Sequence, residues 1–276
     1  GTKRGTKRGT KRGTKRGTGR KKRRKKGNLK NIVCAPNSRN NGMGYTCYTK
    51  DALHKIKTSW NSRHSDEIIN TNDSKQIWDK LRNYMANTCD SERCWLNHQC
   101  MKNDLDKSIS EDIFAPTSPE KWKTNPNEWL NSTDIQQVMK QWEAADNEFM
   151  FLGPSPIDFN TQKTFGECVW EEICNFDIKS VIKKGKNKIG IIFNLDKHTE
   201  MGSHWVSLYI DVKKEEIYYF DSYGDPIPAE IQTFADDVKK QGISINNKFD
   251  LIINTRVHQR GESECGMYSL YFIIQL

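Results

Sequence analysis

The last third of the chain alternates short apolar runs with turn residues, and this pattern restricts it to folds that combine strands with helices. The runs predicted to be strands are rich in β-branched and aromatic residues and cover residues 189–193, 205–210, 216–220 and 249–253. Pro228 is placed to begin a helix that ends before Gly242, and the apolar stretch opening at Cys265 predicts another. The second half is therefore predicted to be α+β.

Charge is distributed very unevenly along the chain. Residues 1–26 hold 15 Lys and Arg and no acidic residue, and they begin with four copies of Gly-Thr-Lys-Arg. The remainder holds 29 Lys and Arg against 35 Asp and Glu. Because the basic segment has no apolar surface to pack, residues 1–27 are predicted to be a disordered tail. Three interpretations of it stay open: attraction to nucleic acid, a nuclear import signal, or a solvated low-complexity extension.

Residues 28–115 are predicted to form a mainly helical arm and residues 116–276 a second domain. A helix is expected from Ser74, where apolar residues recur at helical spacing at Ile77, Trp78, Leu81 and Met85. The domain boundary is marked by a cluster of prolines at positions 116, 119 and 126. Beyond it, Ser132 or Thr133 is placed to cap a further helix.

The eight cysteines are irregularly spaced. No apolar run reaches the roughly 18 residues of a membrane span, so we expect a soluble intracellular protein without membrane contacts, in which most thiols are free. A cluster of three cysteines and one histidine lies at Cys89, Cys94, His98 and Cys100. Its spacing matches no common zinc pattern, so buried structural thiols are favoured over zinc, and no metal or cofactor is predicted.

Four polar residues stand at the edges of the predicted elements in the last third, namely His204, Asp221, Gln259 and Cys265. A thiol transfers acyl groups only as the thiolate. His204 can take the proton of Cys265, and the dipole of the helix that begins there favours the anion. Gln259 can donate its side-chain amide to an oxyanion. The set therefore predicts nucleophilic catalysis by a cysteine.

The imidazole of His204 needs an acceptor that fixes its second ring nitrogen. Asp221 follows the next predicted strand, and a hairpin return brings it back beside His204. Asp211 is the rival, but it should lie at the far end of the hairpin. Glu262 and Glu264 oppose a thiolate, so their carboxylates must point away from Cys265.

These motifs resemble the ubiquitin-like-protein protease family, which includes SUMO proteases and the adenovirus endopeptidase. The resemblance rests on Gly-Ser-His-Trp, Tyr-Phe-Asp-Ser and Gln-Arg-x-x-x-x-Cys-Gly in the order His, Asp, Gln, Cys. It implies a papain-like core, with a central mixed sheet flanked by helices, over residues 116–276. The element Glu-Trp-Leu-Asn at 128–131 resembles the start of the SUMO-protease domain. In that family Trp129 and Trp205 would cover a narrow tunnel for glycines; the alternative is that both are core tryptophans.

A finer resemblance points to the polyprotein proteases of large DNA viruses. It rests on the segment Cys-Asp-Ser-Glu-Arg-Cys at 89–94 and on Glu264 immediately before Cys265. It implies a helical N-terminal arm, cleavage after Gly-Gly-x motifs during virion maturation, and residence in the virion and host cytoplasm, or alternatively the host nucleus. Family members usually continue past the nucleophile helix, so the end at Leu276 indicates a short member or a fragment.

The sequence therefore predicts a monomeric cysteine endopeptidase acting on polypeptides. A SUMO or ubiquitin-like isopeptidase would use the same residues and is not separated from it by sequence. A basic-tailed, nucleic-acid-binding virion protein with a vestigial protease domain is a further alternative. An acetyltransferase of related fold is disfavoured, because an acetyl donor needs no glycine tunnel between Trp129 and Trp205.

Overall fold

The computed structural model describes residues 34–39, 43–97 and 113–276. The predicted basic tail, residues 1–27, lies outside this range, as do His98 and Cys100 of the cysteine cluster. None of the helices in the described ranges is long and apolar enough to cross a bilayer.

The described part of the predicted arm is helical. Its helices are α1 (Pro36–Arg39), α2 (Lys50–Asn61), α3 (Ser74–Tyr84) and α4 (Glu92–Asn97). The helix predicted from Ser74 is confirmed; its N-cap is Asp73, whose carboxylate accepts the backbone N–H of Gln76. Met85 falls in the 3₁₀ turn after α3 and is fully buried there.

A buried carboxylate, Glu92, ties the arm together. One of its oxygens accepts the backbone N–H of Cys47 at 2.9 Å and the other accepts the indole N–H of Trp78. The Tyr48 hydroxyl donates to the backbone carbonyl of Glu92 at 2.6 Å. Burial raises the pKa of Glu92, although these hydrogen bonds to its carboxylate act in the opposite direction.

Disulfides join six of the cysteines, in the pairs Cys34–Cys47, Cys89–Cys94 and Cys168–Cys174. The expectation that most thiols are free is therefore wrong. The expectation fails because disulfide pairing depends on which Cα atoms the fold brings together. The Cα atoms of these pairs lie 5.2, 5.4 and 6.3 Å apart, within disulfide range. The prediction of buried free thiols at Cys89 and Cys94 is corrected in the same way. Cys265 is the free cysteine among the described residues.

The core of residues 116–276 is a mixed six-stranded sheet in the order β1-β3-β4-β5-β6, with β2 also paired to β3. The strands are β1 (Phe149–Phe151), β2 (Ser155–Pro156), β3 (Lys188–Asn194), β4 (Trp205–Asp211), β5 (Glu216–Phe220) and β6 (Asp250–Ile253). The β3–β4 and β4–β5 pairs are antiparallel, and the other pairs are parallel. The four predicted strands are confirmed, whereas β1 and β2 had no sequence prediction.

Helices cover both faces of the sheet, as predicted for an α+β core. They are α5 (Ser132–Ala145), α6 (Glu171–Cys174), α7 (Ile178–Lys183), α8 (Ala229–Ile243) and α9 (Cys265–Gln275). The predicted end of α8 before Gly242 is wrong. A Cβ at Gly242 would lie 2.5 Å from a ring carbon of Phe249, so this glycine allows the helix to approach the next strand and does not terminate it.

The central strand β4 is buried along its whole length because it is covered on both faces. Val206, Leu208 and Ile210 belong to a core with α7 and α8, whereas Trp205 and Tyr209 belong to a core with α5 and α9. This alternation follows from the two-residue period of a strand. It places the first residues of β4 directly beneath the start of α9.

Candidate active site

The β4–β5 hairpin brings His204 and Asp221 together. His204 immediately precedes β4, Asp221 immediately follows β5, and Nε2 of the imidazole lies 2.8 Å from Oδ1 of the carboxylate. Asp221 is 1% exposed, and its Oδ1 also accepts the backbone N–H of Tyr223 at 2.9 Å. The rival carboxylate, Asp211, lies at the other end of the hairpin, where it pairs with Lys214 at 3.2 Å.

Helix α9 carries Cys265 at its first position, where the thiol is buried and contacts His204. Two reciprocal hydrogen bonds fix this end of the helix to β4. The Ser269 hydroxyl donates to the Trp205 carbonyl at 3.2 Å, and the Ser207 hydroxyl donates to the Ser269 carbonyl at 3.3 Å. Because Ser269 lies one turn after Cys265 and Trp205 follows His204, these bonds hold the thiol beside the imidazole.

The electrostatics of the site favour an ion pair between a thiolate and an imidazolium. Burial acts to raise the pKa of Cys265, but hydrogen bonds from His204 and from the backbone N–H groups of Trp205 and Gly266 lower it below its ordinary value. Burial acts to lower the pKa of His204, but the hydrogen bonds and charges of Asp221 and Cys265 raise it to about 9. At neutral pH the imidazole is therefore a cation beside a nucleophilic sulfur.

Gln259 is 1% exposed and its carboxamide has one defined orientation. Its Oε1 accepts the Ser222 hydroxyl at 2.6 Å, and its Nε2 donates to the Gly261 carbonyl at 2.7 Å. A carbonyl can only accept a hydrogen bond, so the amide nitrogen must face Gly261 and the remaining N–H is directed to the Tyr223 hydroxyl at 3.1 Å. The amide is thus oriented as a donor before any ligand is present.

The two acidic residues close to Cys265 in sequence are turned outward. Glu262 and Glu264 are both exposed, and the carboxylate of Glu264 accepts the backbone N–H of Gly261 at 3.2 Å. This arrangement meets the condition that the sequence imposes on a thiolate at position 265.

The Trp-Leu-Asn element packs next to the first turn of α9. The indole N–H of Trp205 donates to the Leu130 carbonyl at 3.0 Å, and a Cβ at Gly266 would lie 3.1 Å from Cβ of Leu130. Asn131 is the N-cap of α5 in a capping box with Asp134, so the prediction that Ser132 or Thr133 caps this helix is wrong. The reason is that Asn131 offers a side-chain oxygen one residue earlier, and the helix begins at Ser132.

Trp129 and Trp205 both line an open groove of about 670 Å³ beside the site. Trp129 is 44% exposed, so it is not a core residue, whereas Trp205 is 7% exposed and serves both the core and the groove wall. The structure thus brings together the four polar residues at one end of the sheet and places both tryptophans beside them. The glycine tunnel between them stays a prediction.

Sequence reasoning missed four residues that hold the site: Ser207, Ser222, Tyr223 and Ser269. A signal was present for two of them, because Ser222 and Tyr223 directly follow Asp221 at a strand end. Ser207 and Ser269 gave no signal, since serine on a buried strand or helix face has no meaning until its partner is known.

A thiol and an imidazole at one end of a mixed sheet, with a buried carboxylate behind the imidazole, define the class of papain-like cysteine proteases. Residues 179–276 match the model of the Ulp1 protease family, C-terminal catalytic domain. This part of the chain is therefore similar to the catalytic domain of the Ulp1 cysteine proteases.

Similar proteins come from large DNA viruses. A protein of Acanthamoeba polyphaga mimivirus, named as a thiol protease, is 28% identical over 88% of this chain and 84% of its own length. A cysteine protease of African swine fever virus is 28% identical over 80% of this chain and 87% of its own. The crystal structure of an African swine fever virus protease is 25% identical, with a TM-score of 0.57, and covers 74% of this chain and 82% of that one.

Proposed function

We propose that this protein is a cysteine endopeptidase that cleaves polypeptides after small, glycine-containing motifs of the Gly-Gly-x type. The observation that carries the proposal is the free thiol of Cys265, which contacts His204 at the start of a helix and has a lowered pKa. The other described cysteines are held in disulfides. Such a thiol is a nucleophile at neutral pH.

In the proposed acylation step, Sγ of Cys265 attacks the carbonyl carbon of the scissile peptide. The electron pair of the carbonyl moves to its oxygen, and the imidazolium of His204 gives its proton to the leaving amine as the C–N bond breaks. Asp221 holds the ring and stabilises its charge throughout. Water, deprotonated by His204, then hydrolyses the thioester and frees the thiol.

The developing oxyanion would be bound by the side-chain amide of Gln259 and by the backbone N–H of Cys265. Gln259 suits this task because its amide is fixed by Ser222 and Gly261 and needs no reorientation. Removing one such donor typically costs about 3 kcal/mol of transition-state stabilisation.

Selection of glycine is proposed for the groove beside the thiol. An exposed Trp129 and an anchored Trp205 give it two flat aromatic walls, and a substrate backbone without side chains fits between such walls. The relatives in large DNA viruses support a viral structural polyprotein as substrate. We propose the virion and host cytoplasm, or alternatively the host nucleus, as the place of action.

A fluorogenic Gly-Gly-x peptide, assayed beside a SUMO-linked fluorophore, tests the proposal. We expect the protein to turn over the peptide and the Cys265→Ala variant not to. In the protein without this substitution, iodoacetamide should label Cys265, as confirmed by peptide mass. Turnover that persists in Cys265→Ala would refute the catalytic assignment. No turnover of either substrate would favour a vestigial protease domain.

The specific alternative is a ubiquitin-like isopeptidase. One African swine fever virus relative is named a SUMO-1 cysteine protease, which supports this candidate. It uses the same residues, so the decision lies with substrate size: turnover of the SUMO probe with none of the short peptide contradicts the polyprotein proposal.

Residues 1–26 are proposed to hold the enzyme on nucleic acid by charge alone, which reads no sequence. We expect deletion of these residues to weaken DNA binding and to remove most of its salt dependence while leaving peptide cleavage unchanged. A matched control replaces the segment by Gly-Ser repeats of equal length. DNA binding that survives both changes at moderate salt rules out this part of the proposal.

A further inference from the structure

A tyrosine that no catalytic motif includes stacks against the imidazole of the candidate base. Strands β4 and β5 pair with Ser207 opposite Phe220, and this register, continued beyond the ladder, sets His204 opposite Tyr223. The two rings are stacked, with centroids 5.2 Å apart and planes at 25°. Tyr223 is half-buried, and its backbone N–H donates to Asp221. One residue therefore contacts both members of the His204–Asp221 pair.

The hydroxyl of the same side chain reaches the candidate oxyanion donor. It accepts the N–H of Gln259 Nε2 at 3.1 Å and donates to the Gly261 carbonyl at 2.9 Å. Gly261 also accepts the second N–H of Gln259. The three groups form a closed set in which both N–H groups of Gln259 have acceptors. The Tyr223 hydroxyl thereby keeps the carboxamide aligned, and an oxyanion would take over the N–H that it now accepts.

The groups around Tyr223 keep its hydroxyl protonated. Burial raises its pKa, and the charges of Cys265, Glu262 and Glu264 act in the same direction, while the hydrogen bond from Gln259 lowers it. His204 is faced by Asp221, Cys265 and the Tyr223 ring. The ring thus lies against an imidazolium, and an aromatic face favours a neighbouring cation.

We propose that Tyr223 is a positioning residue, which holds the imidazole of His204 with its ring and the carboxamide of Gln259 with its hydroxyl. The inference rests on the proposed peptidase function. One side chain would thus align both the general acid–base and the oxyanion donor before substrate binds. The contributions of the ring and the hydroxyl can be separated by substitution, because Phe keeps the ring and Leu removes it.

Tyr223→Phe and Tyr223→Leu test these two contributions. Tyr218→Phe is the matched control, because Tyr218 is also half-buried and its hydroxyl donates to Glu216 on β5. In Tyr223→Phe we expect kcat on the Gly-Gly-x peptide to fall about 3- to 10-fold with KM unchanged, because the aligned amide acts in the transition state. In Tyr223→Leu the pKa of His204, followed by NMR of its imidazole, should fall by about half a unit, and Phe should restore it.

An unchanged kcat in Tyr223→Phe overturns the contribution assigned to the hydroxyl. An unchanged pKa of His204 in a folded Tyr223→Leu protein overturns that assigned to the ring. The NMR titration needs no peptide, so it tests the stacking even where the proposed peptidase activity itself fails. If Tyr223→Leu does not fold, the kcat and KM of Tyr223→Phe still decide the hydroxyl contribution.

Discussion

Replacing Asp221 by Asn keeps the shape of the side chain and removes its charge. Asp221 is 1% exposed, and Oδ1 accepts from Nε2 of His204 at 2.8 Å, so little solvent is present to replace the lost carboxylate. Although burial lowers the pKa of His204, Asp221 and Cys265 together raise it from 6.5 to about 9. Asp221→Asn removes one of these two anionic partners.

The size of the effect follows from that shift. A rise from 6.5 to about 9 corresponds to roughly 3 kcal/mol of net preference for the imidazolium, which Asp221 and Cys265 supply beyond the opposing effect of burial. With about half assigned to Asp221, the pKa of His204 should fall by roughly one unit in the variant. His204 must be protonated to release the amine, so activity is lost as pH rises through this pKa. The alkaline limb of kcat/KM should therefore move from about pH 9 to about pH 8.

The assay measures kcat/KM on the Gly-Gly-x peptide across the alkaline range, together with the NMR titration of His204. Asp211→Asn is the matched control, since Asp211 is also a buried carboxylate of the β4–β5 hairpin but pairs with Lys214. It should leave the alkaline limb in place. If Asp221→Asn lowers activity by the same factor at every pH, or if Asp211→Asn moves the limb equally, then Asp221 does not raise the pKa of His204.

Three further changes test the scaffold around the site. Trp129→Ala should reduce discrimination between Gly-Gly-x and Ala-Ala-x peptides by about 10-fold with little change in Tm, because this indole is 44% exposed; unchanged discrimination contradicts a glycine-selecting wall. Ser269→Ala should lower the free energy of unfolding in urea by about 1 kcal/mol and slow alkylation of Cys265. Substitution of the exposed Ser244 by Ala should do neither, and equal effects of the two changes would contradict the proposed link between α9 and β4. Glu92→Gln should lower the free energy of unfolding by about 1–3 kcal/mol, because the new amide nitrogen would face a buried N–H donor. It should leave alkylation of Cys265 unchanged. Unaltered stability would show that the carboxylate does not hold the arm.

Most of the elements that carry the site could be predicted from local sequence. The runs at 205–210 and 216–220 have strand composition, and the stretch after Cys265 has the length and apolarity of a helix. Strands β1 and β2 could not be predicted in this way. They have three and two residues, too few to show a period, and they exist because both pair with β3.

The cysteines show the limit of arguments from composition. Compartment and spacing favoured free thiols, but Cys34 and Cys47 are separated by 13 residues in the chain and brought to a Cα distance of 5.2 Å by the fold. Disulfide geometry depends on that distance, which no local pattern reports.

The amino-acid sequence alone identifies the residues that could do chemistry at this site. His204, Asp221, Gln259 and Cys265 have the functional groups that thiol catalysis needs, and those groups are properties of the side chains. The orientation of these groups depends on the packing of distant segments of the chain. Ser207 and Ser269 join β4 to α9, and Ser222 and Tyr223 fix the carboxamide of Gln259. These are hydrogen bonds between residues 36 to 64 positions apart in the chain, and such contacts form only when the sheet and the helix are packed together.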